Sequence, residues 1–179
     1  MTSSGGKPAV FLDRDGTLME EVDYCRDPEK VQLLSGVKEG LAALKAAGYL
    51  NVIVTNQSGI GRGWIAMDEY EAVHARLLEL LGEGLIDAAY FCPDAPGQPS
   101  TCRKPEPGMV LQAAREHGID LSRSWFIGDK ASDVGCGRNA GTRTILVQTG
   151  YGAGEGDAGA DLVAKDFKTA IGHILLSQD

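Results

Sequence analysis

Apolar residues fall in short consecutive runs, separated by longer stretches with helical spacing. The runs at 9–12, 51–54, 88–91, 124–127 and 144–147 are rich in Val, Ile and Phe and bounded by turn residues. Apolar on successive positions, they predict strands buried on both faces of a sheet. Between them, Val37, Leu41 and Leu44 lie at i, i+4 and i+7, with Gly48 as a stop. Asp68 and Glu71 have the spacing of a capping box, ahead of a stripe of Tyr70, Val73, Leu77, Leu80 and Leu81. Pro107 suits the first position of a helix whose inward residues are Leu111 and Ala114 and whose end is Gly118. A shorter helix runs from about Ser132 to Ala140, and Asp166 caps a last one carrying Phe167, Ala170, Ile171 and Ile174. This alternation predicts an α/β fold: a three-layer, Rossmann-like parallel sheet with helices on both faces. There is no internal repeat. Residues 1–7 read as a mobile tail ahead of a single domain over 8–179, and the glycine-rich stretch 150–159 as a surface loop.

Composition narrows the classes. The 17 basic and 25 acidic residues give a net charge of −8, opposite in sign to the footprint of a nucleic-acid binder. Hydrophobic residues make up 43% of the 179, enough for a packed core. No apolar run approaches the ~20 residues that span a bilayer. The first residues carry no apolar stretch of signal-peptide type, so the expected location is the cytoplasm and no membrane partner is expected. Four cysteines (Cys25, Cys92, Cys102, Cys136) then read as reduced thiols or metal ligands, not as a disulfide framework. The 24 glycines exceed the usual share of ~7%, which calls for tight turns or backbone close to a ligand.

In sheets of this kind ligands bind outside the carboxyl ends of the strands. Asp13-Arg14-Asp15-Gly16-Thr17 follows the first run, Thr55-Asn56-Gln57-Ser58-Gly59 the second, and Gly128-Asp129-Lys130-Ala131-Ser132-Asp133 the fourth, with Arg103-Lys104-Pro105 between the third and fourth. A lone Asp-Gly-Thr is an ordinary turn. Four such motifs with complementary chemistry are something else. Converging carboxylates repel one another, and a divalent cation relieves that. Hard oxygen ligands favour Mg²⁺, and a nearby lysine and hydroxyl suit a phosphate.

Asp13-x-Asp15-Gly16-Thr17, Thr55, Lys104 and Gly128-Asp129-x-x-x-Asp133 resemble, in order and spacing, the four motifs of the haloacid dehalogenase superfamily. The resemblance spans roughly residues 8 to 150. The longer strings, Phe11 to Thr17, Thr55 to Gly63, Cys102 to Pro105 and Gly128 to Lys130, are similar to the branch of heptose bisphosphate phosphatases, which also holds histidinol-phosphate phosphatases. The resemblance implies an Mg²⁺-dependent phosphomonoesterase acting on a small phosphorylated sugar in nucleotide-activated heptose synthesis. Asp13 would be the nucleophile and Asp15 the general acid and base, two residues apart on one side of an extended segment. Asp13, the Asp15 backbone carbonyl and Asp129 would hold the metal, Thr55 and Lys104 the phosphoryl oxygens, aided by backbone N–H groups near Asn56. Asp133 would orient Lys104 or support the metal from behind, with Lys130 near it.

Substrate contacts are expected from Arg103, Asn56, Gln57, Ser58, Glu21, Asp23, Tyr24 and Arg62, although a solvated loop residue is the plain alternative for several of these. Arg103, next to the lysine, suits a second phosphate or sugar hydroxyls. The branch commonly carries a zinc loop of pattern Cys-x-His and Cys-x-Cys. Here Asp94 stands at the histidine position and Ser100 at one cysteine, so Cys92 and Cys102 read as remnants and zinc is expected to be absent. The stretches from Asp13 to Thr55 and from Thr55 to Lys104 are filled by core elements, without room for an inserted cap of ~60 residues. Specificity would then rest on loops 20–32, 59–67 and 92–105, and a monomer is expected. A histidinol-phosphate phosphatase is the nearest alternative. A signalling receiver, with its own phosphorylated Asp, Thr and Lys, has no need of Asp15.

Overall fold

The computed structural model describes residues 5–177. Six strands form one parallel sheet: β1 (Ala9–Leu12), β2 (Leu50–Asn56), β3 (Ala88–Cys92), β4 (Trp125–Gly128), β5 (Arg143–Val147) and β6 (Leu162–Ala164), in spatial order β3-β2-β1-β4-β5-β6. The longer helices are α1 (Val37–Ala46), α3 (Met67–Leu81), α4 (Gly108–His117), α5 (Ala131–Ala140) and α6 (Phe167–Leu176), with one short turn, α2 (Ser58–Gly61), after β2.

The central strand shows why the run at its start is continuously apolar. Successive side chains alternate in direction. Val10 and Leu12 enter a core with Leu41 of α1, Leu77 of α3 and Phe167 of α6. Ala9 and Phe11 enter the core on the other face, with Val110 of α4 and Cys136 of α5. The sheet therefore has a helical layer on each side, the predicted three-layer arrangement.

Several local expectations are corrected. The edge strand β3 is half-buried along most of its length, not buried on both faces, because nothing pairs beyond it. β6, unforeseen, forms the other edge, with Val163 exposed and Ala164 buried. α3 starts before Asp68. Ala66 precedes the helix, and its N–H donates to the Glu69 carboxylate at 2.8 Å. Pro107 caps α4 instead of opening it, and the buried residues are Met109, Val110 and Ala113. Leu111 is exposed and Ala114 only half-buried. Lys7, expected in the tail, is tied into the fold: it donates its N–H to Gly118 O at 3.0 Å and accepts from Asp120 N at 2.9 Å. Residues 1–4 lie outside the described residues.

The chain runs outward from β1 through β2 to β3, then returns to the other side of β1 at β4. The strand order reverses between β1 and β4. Crevices at such switch points are where open α/β sheets bind ligands.

Candidate active site

Asp13 leaves the end of β1 and ties it to β4, its N–H donating to Ile127 O at 3.0 Å. Asp129 follows β4 immediately, and Asp133 sits in the first turn of α5. The carboxylates of Asp13, Asp129 and Asp133, all buried, offer oxygens within 4.8 Å of one another. Lys104 stands among them. Its Nζ is 2.7 Å from Asp13 Oδ1, 2.7 Å from Asp133 Oδ1 and 2.9 Å from Val54 O. Burial works against the charge on Lys104, but Asp13 and Asp133 outweigh it and raise its pKa above the ordinary lysine value.

One cation does not balance three carboxylates. Burial, then the charge of Asp13, pushes Asp129 up to about 8. The same two causes push Asp133 up to about 6 against the pull of Lys104. Asp133 Oδ1 is ion-paired with Lys104, whose Nζ lies 2.7 Å away, and Oδ2 accepts the Lys130 N–H at 3.0 Å. Asp129 differs: Oδ2 accepts the Tyr151 N–H at 2.9 Å, whereas Oδ1 is buried with no hydrogen-bond partner. An acceptor of this kind costs free energy unless something binds it. Hard carboxylate oxygens beside another carboxylate fit a small divalent cation.

A cavity of about 140 Å³ opens over this cluster. Asp13, Asp15, Asn56, Ser58, Arg103, Lys104, Lys130 and Asp133 line it, together with Ser132. A larger cleft of about 370 Å³ lies outside, reached by Glu21, Asp23, Tyr24, Gln57 and Arg62 and sharing Asp15, Arg103 and Lys130 with the inner cavity. The expected substrate residues are thus brought together. Asn56 clamps the chain at Lys104, its side chain accepting from Lys104 N at 3.0 Å and donating to Lys104 O at 3.2 Å. Arg103 Nη1 donates to Asp94 O at 3.1 Å. Burial, then the nearby Arg62 charge, pulls Arg103 below its ordinary pKa. Glu21 is half-buried and reaches about 7, through burial and the charges of Asp15, Asp13 and Asp23, partly offset by Lys130 at 3.9 Å.

Two expected contacts are placed differently. Thr55 is buried and does not line either cavity; its hydroxyl accepts from Gln57 Nε2 at 2.8 Å. Gln57 is buried too, and spends its amide on Thr55 and on Asp15 Oδ2 at 3.0 Å. The stretch 150–159 is not merely surface loop. Tyr151 and Glu155 line the cleft, Tyr151 holds Asp129, and Glu155 accepts from Ala131 N at 2.8 Å. Gly16 and Gly150 both have positive φ and pass against the Asp129 carboxylate, where a Cβ would collide with it. The strand-end rule, applied to β5 as well, would have found this loop.

The cysteine reading is also corrected. Cys92, at the end of β3, and Cys102 are joined as a disulfide, their Cα atoms 5.6 Å apart, while Cys25 and Cys136 are free and buried. Asp94 and Ser100 border the pair: Asp94 Oδ2 is 3.5 Å from Cys102 Sγ, and Ser100 Oγ accepts from Arg103 N at 2.9 Å. The loop that presents Arg103 and Lys104 is therefore closed at its base.

A buried carboxylate cluster with a lysine, at the switch point of a parallel sheet, fits a phosphoryl-transfer site, and Asp15 lining the polar cavity beside Asp13 makes its class that of a phosphohydrolase. Comparison with known proteins agrees. A family model described as HAD-hydrolase-like matches residues 101–170. The D-glycero-D-manno-heptose-1,7-bisphosphate 7-phosphatase of Thermosynechococcus vestitus is 42% identical, over 92% of this chain and 94% of that protein. The D-glycero-beta-D-manno-heptose-1,7-bisphosphate 7-phosphatase of Haemophilus ducreyi is 37% identical, over 94% and 99%. A crystal structure of the D,D-heptose 1,7-bisphosphate phosphatase of B. bronchiseptica, complexed with magnesium and phosphate, superposes with a TM-score of 0.86 at 32% identity, over 94% of this chain and 98% of that one. The chain belongs to the haloacid dehalogenase-like hydrolases, in the family of the heptose bisphosphate phosphatases.

Proposed function

We propose that this chain is a magnesium-assisted phosphomonoesterase that removes the 7-phosphate of a D-glycero-D-manno-heptose 1,7-bisphosphate. The observation that carries this reading is the Asp13 carboxylate held by Lys104 at 2.7 Å beneath a polar cavity, with the partnerless Asp129 Oδ1 beside it. Asp13 attacks phosphorus in line, forming an aspartyl-phosphate as the sugar oxygen leaves. Asp15 gives the leaving oxygen its proton and then takes one from the water that attacks the aspartyl-phosphate, which frees Asp13. Lys104 holds a phosphoryl oxygen as well as the nucleophile, and Asp133 keeps the ammonium in place. Asp13, the Asp15 carbonyl and Asp129 would hold Mg²⁺, which offsets the repulsion between a carboxylate and an anionic phosphate.

That assignment has a pH signature. In metal-free protein the folded state binds the Asp129 proton more tightly than the unfolded chain does. Stability should therefore decline as pH rises from about 4 to about 8. A cation that binds the ionised form restores it. Mg²⁺ is expected to raise the melting temperature more at pH 8 than at pH 5; equal shifts in thermal melts would remove Asp129 from the metal site.

Arg62 and Arg103 face one cleft and repel, so an anion there relieves both. This supports a second phosphate on the substrate. Phosphate release should be fastest, by kcat/KM, with a heptose 1,7-bisphosphate anomer when compared with fructose 1,6-bisphosphate and histidinol phosphate. A preference for histidinol phosphate would overturn the assignment. Arg103→Ala should lose more on the bisphosphate than on a monophosphate.

The same reading makes residues 8–179 one monomeric catalytic domain without a cap, with specificity in loops 20–32, 59–67 and 92–105. No helix among the described residues is long and apolar enough to cross a membrane. Cys92, Asp94 and Cys102 offer ligand atoms within 4.8 Å of one another, but two sulfurs and one carboxylate do not complete an N and S ligand set, so this reading closes the loop with the Cys92–Cys102 bond in place of zinc. Alkylation under denaturing conditions should label two cysteines before reduction and four after; about one zinc per chain by elemental analysis would overturn this.

A further inference from the structure

We propose that Arg14 and Gln57 are positioning residues for Asp15, a cradle that fixes which carboxylate oxygen carries the transferred proton. The proposal rests on the reading of Asp15 as general acid and base. Arg14 is 1% exposed and is the largest fully buried side chain among the described residues. Burying a guanidinium is costly unless a partner compensates it. Its one acidic partner among the described residues is its neighbour Asp15, gripped from two sides: Nε to Oδ2 at 2.9 Å and Nη2 to Oδ1 at 3.1 Å. Such a fork fixes the carboxylate plane, which a lysine could not do.

Gln57 completes the grip. Its amide nitrogen donates to Asp15 Oδ2 at 3.0 Å and to Thr55 Oγ1 at 2.8 Å, which uses both of its protons. The amide orientation follows from chemistry, because an ionised carboxylate accepts only. Asp15 Oδ2 then has both lone-pair positions filled, by Arg14 Nε and Gln57 Nε2. Oδ1 takes one bond, from Arg14 Nη2, and keeps one position open. The proton given to the leaving oxygen, and later taken from water, is therefore carried on Oδ1. Asp15 lines both the inner phosphate cavity and the outer cleft, so it stands where the bond to the sugar is cut.

The cradle also solves a problem created by the neighbours. Asp15 is two residues from Asp13, beside a cluster that attracts cations. A free carboxylate there could turn into the cluster and ligate the metal, and would then no longer transfer protons. At this site the side chains that converge on a possible cation position are Asp13, Asp129 and Asp133, without Asp15.

The test separates proton donation from general damage by changing the leaving group. A sugar alkoxide needs a proton as it departs, whereas 4-nitrophenolate leaves as a stable anion. In single-turnover measurements, Arg14→Lys is expected to slow the first step with the sugar bisphosphate ~10–100-fold, and the 4-nitrophenolate burst by no more than about twofold. Equal slowing of both, or of neither, would overturn the cradle. Gln57→Met should show the same asymmetry to a smaller degree, and it carries the test if the Arg14 variant does not fold. Asp15→Asn in the same assay marks which idea fails. If it shows no asymmetry, the acid role of Asp15 falls and the cradle with it. If it alone shows asymmetry, only the cradle falls.

Discussion

Asp13→Asn should reduce phosphate release by at least ~10⁴-fold while leaving a folded protein that still binds inorganic phosphate. The substitution keeps the size of the side chain and replaces the anionic oxygen that attacks phosphorus with a neutral, weakly nucleophilic amide. Its electrostatic consequences are mixed, which is why the fold survives. One ion pair to Lys104 is lost, yet Lys104 keeps Asp133 at 2.7 Å and Val54 O at 2.9 Å. Repulsion within the cluster falls at the same time. After burial, the charge of Asp13 is the next cause that holds Asp129 near 8 and Asp133 near 6, so both carboxyls should titrate lower in the metal-free variant. Carbon-13 NMR of the carboxyl groups checks the direction, calorimetry with phosphate checks binding, and phosphate release checks turnover. Residual turnover above about 1% of wild type would place the nucleophile elsewhere.

The site was legible in sequence to the extent that it lies at strand ends. Asp13, Asn56 and Asp129 stand at or just after apolar runs, and a parallel sheet presents all such positions on one edge. What sequence could not report are the bonds between distant segments. Gln57 looks like any polar loop residue until it is seen to join Thr55 to Asp15, and Tyr151 acts through its backbone N–H, which any residue would supply. The fold was readable where burial was two-sided and blurred at the edges. β6 escaped notice because Leu162 is half-buried and Val163 exposed, leaving no continuous apolar run to detect. Helix α4 kept its period but not its phase: Val110 and Ala113 face the sheet, one position before the expected Leu111 and Ala114, with Met109 buried beside them. Periodicity gives spacing, and only packing chooses which stripe turns inward. The cysteines misled for another reason. Bonding between Cys92 and Cys102 depends on the path of the proline-containing loop between them, and residue type alone does not reveal that path.

Lys104→Met should show how far stability and catalysis share one group. The ammonium is the buried positive charge between two carboxylates, and a thioether of similar length cannot replace it. Breaking a buried pair by removing one partner costs ~3–5 kcal/mol, since the other charge is left uncompensated. At Lys104 two carboxylates are left. Because the folded-state pKa of Lys104 is raised, its own contribution is fully present below the ordinary lysine pKa and is lost only above its raised value. The pH dependence of the variant therefore comes from the carboxyl that Lys104 leaves behind in α5, Asp133. Without Lys104, Asp133 rises further above its value of about 6, so the variant should lose more melting temperature at pH 8 than at pH 5. Turnover should fall ~10²–10³-fold or more, because a donor to the phosphoryl group goes with the charge. The double variant Lys104→Met, Asp133→Asn separates the two effects. Removing one stranded carboxylate should recover part of the melting temperature at pH 8 and none of the turnover. If stability and turnover return together, Lys104 serves the fold alone, and the phosphate must be held by other groups such as Arg103 and Lys130.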